Sequence, residues 1–247
     1  MNLHRLIFTA AVIGLFTTAS LRALDDTMSQ PSHAAKAVAF SFLAAGQIHA
    51  ADVLPPPPSA EAERAAAMET VRAVYHAASE ADKNAAYAEK KFSVFNYTDA
   101  VGSYFVETNL PKTAAFFEKV QKDAEAVTDE GKDFFHEPRP FTTDPSLANG
   151  KLEKSFGYPS GHSTEATSLA LVLAEILPGQ RDAILAHADL MGWHRVQIAR
   201  HYPADIYAGR ELARAIVREL KQSQAFQKEF AEVKTELNAA REVAGKN

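Results

Sequence analysis

The feature that most constrains the fold is the run Tyr-Pro-Ser-Gly-His-Ser at residues 158–163, with the apolar pattern that follows it. Pro159 and Gly161 fit a tight turn, and Ser160 is a residue type that caps helix N-termini. From His162 onward, side chains at steps of four and three form one helical face. Because a helix N-terminus binds anions, a histidine beside it predicts phosphate chemistry. The face consists of His162, Ala166, Leu169, Leu173 and Ile176.

A second predicted helix start, near residue 203, has the same design. Pro203 suits the first turn of a helix, and the face that follows is again headed by a polar residue, Asp205. An aspartate in the first turn reaches back toward the preceding residues, as in a capping box. We therefore expect Asp205 to bond one ring nitrogen of His201 and leave the other as a base or nucleophile. This face consists of Asp205, Ala208, Leu212, Ile216 and Leu220.

Three cationic residues accompany these histidines. Arg195 lies on a mainly apolar helical face, where an arginine needs an anionic partner. Lys132 and Arg139 lie beside aromatic residues, and two prolines flank Arg139. Three cations and a helix N-terminus suit a phosphoryl group, and two histidines suit a nucleophile and a leaving-group acid. Each of these residues alone would more often be solvated or structural, so the prediction depends on the whole set.

Composition narrows the function. The chain has 247 residues, 47% of them hydrophobic, which is enough for one sizeable domain or two small ones. The net charge is −5 and no basic run is present, so nucleic acid is not an expected partner. The absence of cysteine excludes disulfides, thiolate nucleophiles and cysteine-ligated metal.

Residues 1–50 have the composition of an export signal, in two alternative layouts. In the first, the apolar run 6–16 precedes a cleavage site near Ala23. In the second, translation begins at Met28, Lys36 precedes an apolar run over residues 37–45, and cleavage falls near Ala50. Both apolar runs are too short for a membrane span. Both layouts predict a periplasmic or secreted protein, and the alternative to export is a pair of buried core helices.

The remainder of the chain is predicted to be all-α, because no segment alternates like a strand between hairpin signals. We predict one compact helical catalytic domain over residues 51–226, of the bundle type. A charged, helix-prone tail over 227–247 is expected to be solvated or frayed. The long polar loop 144–157 is predicted to be functional. Helices are predicted over residues 59–80, 82–92, 98–107, 111–126, 160–176, 180–199 and 204–226.

Taken together, the motifs resemble a known three-part signature. It consists of lysine, six residues and Arg-Pro, then Pro-Ser-Gly-His, then arginine, five residues, histidine, three residues and aspartate. This is the signature of the type 2 phosphatidic acid phosphatase superfamily, which also contains vanadium haloperoxidases. Within it the chain is most similar to class A bacterial non-specific acid phosphatases, in length, export signal and the segment Leu-Pro-Pro-Pro-Pro at 54–58. The resemblance extends from about Leu54 to Leu220.

The resemblance implies an all-helical, metal-independent acid phosphatase of broad specificity, without a cofactor and with phosphotransfer as a side activity. Its partners would be small phosphomonoesters. His201 would attack phosphorus and form a phosphohistidine, with Asp205 orienting it. His162 would protonate the leaving oxygen and later activate water. The phosphate oxygens would be held by Lys132, Arg139, Ser160, Gly161 and Arg195.

One position departs from the family pattern, because His194 stands where a serine usually precedes the arginine. His187, His194 and His201 are spaced by seven residues. On a helix such steps place side chains about 10 Å apart, too far to share a metal ion. We therefore predict no metal site in this row.

Three other functions are compatible with parts of the sequence. A vanadium-dependent haloperoxidase shares the signature, since vanadate mimics phosphate. A lipid phosphate phosphatase shares it too, although no apolar run after residue 50 reaches the length of a membrane span. A helical binding module would keep the motifs without activity. A homo-oligomer is also compatible with the sequence.

Overall fold

The computed structural model describes residues 40–89 and 92–245. Within these ranges the chain is helical and has no strand, which confirms the all-α prediction. Most of both predicted export layouts falls on residues 1–39, outside the described residues. The helices are α1 (Ala50–Val53), α2 (Glu61–Ala77), α3 (Glu80–Ala88), α4 (Thr98–Val101), α5 (Pro111–Phe135), α6 (Pro140–Thr143), α7 (Gly161–Ile176), α8 (Arg181–Gln197), α9 (Pro203–Leu220) and α10 (Gln224–Ala244).

Helix α7 lies at the centre and packs against α5, α8 and α9. It begins as predicted, because Ser160 is the N-cap and its side chain accepts a hydrogen bond from Ser163 N at 3.4 Å. Neighbouring elements cover this helix on nearly all sides. This explains why most of its residues are apolar or small. Gly209 lets α9 approach closely, since a Cβ there would lie 2.8 Å from the Ser160 carbonyl oxygen.

Helix α10 is part of the core, contrary to the expectation of a solvated or frayed tail. Phe226, Val233 and Leu237 are buried, and the helix packs against α5. The predicted boundary after residue 226 therefore falls inside a helix. Helix α9 ends at Leu220, and Ser223 caps α10, so the single helix predicted to continue to residue 226 is two helices.

The segment before α1 is also built into the core. The buried carboxylate of Asp123 accepts hydrogen bonds from the backbone N–H groups of Ser41, Phe42 and Leu43, at 2.6, 2.8 and 3.0 Å. The Phe42 ring packs edge-on against Phe226, with centroids 5.5 Å apart. Residues 41–43 thus fill a site that α5 and α10 would otherwise leave open.

Two other helix predictions were wrong in length. Helix α4 ends at Val101, rather than near residue 107, because Gly102 turns the chain with a φ of 130°. Helix α5 continues to Phe135 instead of ending near 126, and this extension carries Lys132 in its last turn. Among the described residues, no helix is both long and apolar enough to span a membrane.

Candidate active site

Four helix ends come together beside a cavity of about 240 Å³ that His162 and Arg195 line. The last turn of α5 carries Lys132, and the start of α7 carries His162. The end of α8 carries Arg195, and the turn into α9 carries His201. The other four predicted site residues contact these side chains or one another. The structure therefore brings together all eight predicted site residues, which are Lys132, Arg139, Ser160, Gly161, His162, Arg195, His201 and Asp205.

His201 is held in one tautomer by its two partners. Arg139 Nη1 lies 3.1 Å from His201 Nε2, and an arginine has only donors, so Nε2 accepts this bond. The other ring nitrogen, Nδ1, then carries the proton and donates it to Asp205 Oδ2 at 3.1 Å. The same carboxylate oxygen accepts the Tyr202 N–H at 2.9 Å, in a capping-box contact at the start of α9. The Nε2 lone pair of a neutral imidazole is thus directed toward the cations.

The electrostatics of the site favour neutral His201. Burial lowers its pKa well below the usual value, and the nearby charges of Arg139, Arg195 and Lys132 lower it further. Burial raises the pKa of Asp205, whereas the hydrogen bond from the Tyr202 backbone acts in the opposite direction. A neutral histidine 2 % exposed can act as a nucleophile without first losing a proton.

His162 lies in the first turn of α7, and its pKa is lowered to about 3. Burial is the main cause, followed by the charges of Arg195, Lys132 and Arg139, while a hydrogen bond with the Glu89 backbone opposes them. Its Nε2 is buried without a hydrogen-bond partner among the described residues. Arg195 Nε is buried and unpartnered in the same way. Buried polar atoms are normally satisfied, and both residues line the cavity, so these two nitrogens are candidate contacts for a ligand.

The cations are fixed around the start of α7. Lys132 Nζ contacts Asp129 Oδ1 at 2.8 Å, and a Cβ at Gly161 would lie 3.1 Å from the same nitrogen. A side chain at residue 161 would press on the lysine ammonium group, and the Gly161 amide belongs to a first helical turn that lacks intrahelical acceptors. Arg139 donates from Nε to the Ser155 carbonyl oxygen at 2.8 Å. These contacts hold the positive charge in place before any ligand arrives.

A main-chain hydrogen bond joins the two histidine motifs. The Ser160 N–H donates to the Asp205 carbonyl oxygen at 3.0 Å, between the start of α7 and the start of α9. Ala199, at the end of α8, has a φ of 54°, an unusual value for a residue with a side chain. This turn brings Arg200 and His201 back toward α7. The relative position of His162 and His201 is therefore set by backbone as well as by side chains.

Sequence reasoning missed three further residues at the site, which are Glu89, Glu153 and Arg200. Glu89 pairs with His194 Nδ1 at 2.6 Å, and both side chains are buried. Glu153, from the loop predicted to be functional, lies between Arg195 and Arg200. Of these, only Arg200 carried a signal, as an arginine beside His201 after the apolar pair Ile198-Ala199. The carboxylates gave none, because their partners lie far away in the sequence.

The row of three histidines does not converge. His194 pairs with Glu89, His201 pairs with Asp205, and the His187 ring packs against Tyr97 with centroids 5.3 Å apart. In the part of the chain that the structure describes, no three side chains are arranged to hold a metal ion.

Comparison with known proteins shows which proteins the chain is similar to. Residues 123–228, which contain all three motifs, match the model of the PAP2 superfamily. The chain is 29% identical to a non-specific acid phosphatase of Providencia stuartii over 75% of this chain and 79% of that protein. It is 35% identical to a non-specific acid phosphatase of Salmonella typhimurium over 45% of this chain and 47% of that protein.

A lipid A 1-phosphatase of Rhizobium etli is 35% identical over 77 residues, which are 31% of this chain and 32% of that protein. The chain thus matches about a third of the length of the Rhizobium phosphatase and about half of the length of the Salmonella phosphatase. The family match and the two acid phosphatases confirm the resemblance seen in the sequence. The chain is thus similar to PAP2 superfamily proteins over residues 123–228, and to non-specific acid phosphatases over a longer stretch.

Proposed function

We propose that the protein hydrolyses small phosphate monoesters of many kinds, without a metal ion, through a phosphohistidine on His201. The observation that carries the proposal is the pairing of a neutral, oriented His201 with a cluster of fixed cations. Arg139 contacts His201 Nε2 itself, at 3.1 Å. A phosphate oxygen that takes over this guanidinium N–H would bring phosphorus next to the Nε2 lone pair.

The proposed first step transfers the phosphoryl group to the protein. The oxygens of the substrate bind Lys132, Arg139 and Arg195, with Ser160 Oγ and the Gly161 N–H as further donors. His201 Nε2 attacks phosphorus, so that a P–N bond forms while the bond to the ester oxygen breaks. His162 gives its proton to the departing oxygen. Asp205 stabilises the positive charge that develops on the His201 ring.

In the proposed second step, neutral His162 takes a proton from water, and the water oxygen attacks phosphorus. The P–N bond breaks, inorganic phosphate leaves and His201 is restored. Before the first step His162 must be protonated, although its pKa in the ligand-free site is about 3. The negative charge of a bound phosphate opposes the three cations and raises this pKa. We therefore expect a bell-shaped pH profile with an acidic to near-neutral optimum.

The test is a substrate panel with EDTA present throughout. It contains 4-nitrophenyl phosphate, glycerol phosphate, a nucleotide and a phosphatidic acid in detergent micelles. We expect turnover of all the water-soluble esters, because the fixed cations supply the charge that a two-metal site would otherwise give. Activity that disappears with EDTA and returns with magnesium or zinc would contradict the proposal.

The lipid arm of the panel addresses a second candidate, because the lipid A 1-phosphatase similarity favours a lipid substrate. Turnover of the micellar phosphatidic acid alone would replace the proposed function with that of a lipid phosphatase. Bromide oxidation by peroxide after addition of vanadate would instead indicate a haloperoxidase.

We also infer that the protein is exported and that cleavage falls upstream of residue 40. The basic and apolar layout near the N-terminus supports export. Cleavage near Ala23 fits the fold better than cleavage near Ala50, since Phe42 and Leu43 are core residues and Ala50 is 0 % exposed.

A further inference from the structure

The loop between the first two motifs places a carboxylate on one of the phosphate-binding arginines. Glu153 Oε1 accepts a hydrogen bond from Arg195 Nη2 at 2.8 Å. The other carboxylate oxygen, Oε2, lies 2.9 Å from Arg200 Nε. The two arginine side chains are 5 % and 2 % exposed, whereas that of Glu153 is 32 % exposed. Glu153 is therefore the most exposed residue of the group, although its Oε2 atom is buried.

Arg200 is held independently of Glu153. Its guanidinium donates to the carbonyl oxygens of Asn149 and Ile198, and lies 5.3 Å from the centre of the Phe141 ring. These contacts fix it beside the loop. A carboxylate displaced from Arg195 would still have a charged partner in Arg200.

The contacts of Arg195 show what Glu153 occupies. A guanidinium grips an oxyanion in bidentate fashion with two parallel N–H groups, and Nε with Nη2 forms one such edge. In Arg195, Nη2 is taken by Glu153, while Nε is buried and without a partner among the described residues. The third nitrogen, Nη1, is 3.5 Å from the Ala86 carbonyl oxygen. The edge for bidentate binding is thus half occupied by the carboxylate.

We infer that Glu153 is an internal competitor for phosphate, which must give up Arg195 Nη2 before a phosphoryl group can bind bidentately. The inference rests on the proposed function. Glu153, Arg195, Arg200 and His162 line the same cavity, so carboxylate and substrate meet at one place. The competitor weakens binding of inorganic phosphate and thereby favours release of the product. On displacement the Glu153 carboxylate stays paired with Arg200.

The experiment compares wild type with Glu153→Gln and Glu153→Ala. The affinity for inorganic phosphate is measured by calorimetry, which needs no turnover, and by competitive inhibition of 4-nitrophenyl phosphate hydrolysis. Removing a partly exposed charge from the pair should strengthen phosphate binding by about five- to tenfold. Both variants should show the effect, because neither retains the carboxylate.

The matched control is Glu175→Gln, which makes the same charge change at the far end of α7, where Glu175 pairs with Lys221. Its phosphate affinity should equal that of wild type. Weaker or unchanged phosphate binding in both Glu153 variants would overturn the inference, since a weaker affinity would show that Glu153 orients Arg195. A wild-type protein that hydrolyses no phosphate ester in the competition assay would overturn the proposed function itself.

Discussion

The His201 ring is held by hydrogen bonds to neighbours from separate parts of the chain. Asp205 follows it by four residues, and its contact with the ring was expected from the capping pattern. Arg139 precedes it by 62 residues, and no local pattern shows that it contacts Nε2. Local spacing thus predicted that Asp205 bonds one ring nitrogen of His201, whereas the partner of the other nitrogen depends on the tertiary fold.

The proposed roles of the two histidines predict different losses on mutation. His201→Ala should abolish hydrolysis of every ester, because the phosphoenzyme no longer forms. His162→Ala should nearly abolish hydrolysis of glycerol phosphate, since general acid catalysis contributes about 10²–10⁴-fold. Hydrolysis of 4-nitrophenyl phosphate should fall much less, because nitrophenolate leaves without a proton. The measurement is the ratio of aryl to alkyl phosphate turnover in each variant.

The exposed His136, which packs against Phe156 outside the cavity, supplies the control His136→Ala, with an unchanged ratio expected. A ratio that rises in the His201 variant and stays constant in the His162 variant would reverse the two assignments.

Glu165, one turn after Gly161, predicts a pH dependence of stability. Burial raises its pKa to about 7, while Gln121 and Lys132 act in the opposite direction. Between the unfolded value of 4.5 and about 7, the folded state holds a proton that the unfolded state releases. The free energy of unfolding therefore falls as pH rises through this window, by at most about 3 kcal/mol.

The isosteric change Glu165→Gln keeps an acceptor for Gln121 and removes the titration. Relative to wild type, it should stabilise the protein at pH 8 and have little effect at pH 4, as measured by urea denaturation. A difference in unfolding free energy that is the same at both pH values would show that Glu165 does not titrate in this range.

At the scale of elements, the crossing of α7 and α9 links stability to the active site. A Cβ at Gly209 would lie 2.8 Å from the Ser160 carbonyl oxygen and 2.9 Å from Ser163 Cβ. Gly209→Ala should therefore separate the helices and destabilise the protein by about 1–3 kcal/mol. It should also lower kcat/KM, because Ser160 belongs to the turn that we propose binds phosphate.

Thermal unfolding and steady-state kinetics of Gly209→Ala test this, with Gly179→Ala as the control. A Cβ at Gly179 meets no atom within 4 Å, so that variant should resemble wild type in both measurements. A Gly209→Ala protein with wild-type stability would mean that the two helices accommodate the methyl group.

The elements that sequence patterns predicted well are those with a strong periodicity of their own. Helices α7 and α9 begin where their caps and prolines indicated. Helix α10 was predicted as a helix, but its three buried residues are too sparse to reveal a core face. The end of α4 depends on one glycine in a positive-φ conformation, which the helical pattern around it concealed.

At the scale of the whole molecule, residues 40–50 belong to the folded protein. The comparison is between chains that start near Ala23, at Phe40 and at Ala51. A chain that starts at Ala51 loses Phe42 and leaves the buried carboxylate of Asp123 without its three N–H donors. It should be destabilised by several kcal/mol, since a buried charge without partners is costly.

Calorimetry of the three purified chains checks this prediction. Asp123→Asn in the chain that starts at Phe40 tests the carboxylate alone. Because its hydrogen bonds are weakened, the free energy of unfolding should fall by about 1–3 kcal/mol. A fully stable chain that starts at Ala51 would instead restore Ala50 as a cleavage site.

The main-chain bond between Ser160 and Asp205 gives two parts of the site different freedom to vary. The side that holds both histidines is joined through backbone atoms, so substitutions there disturb geometry that no side chain can repair. The opposite side is built from the end of α3 and the loop at 149–153, and it contributes Ala86, Tyr87, Lys151 and Glu153. In laboratory evolution toward new esters, we expect accepted mutations to accumulate on this opposite side while the reacting groups stay unchanged.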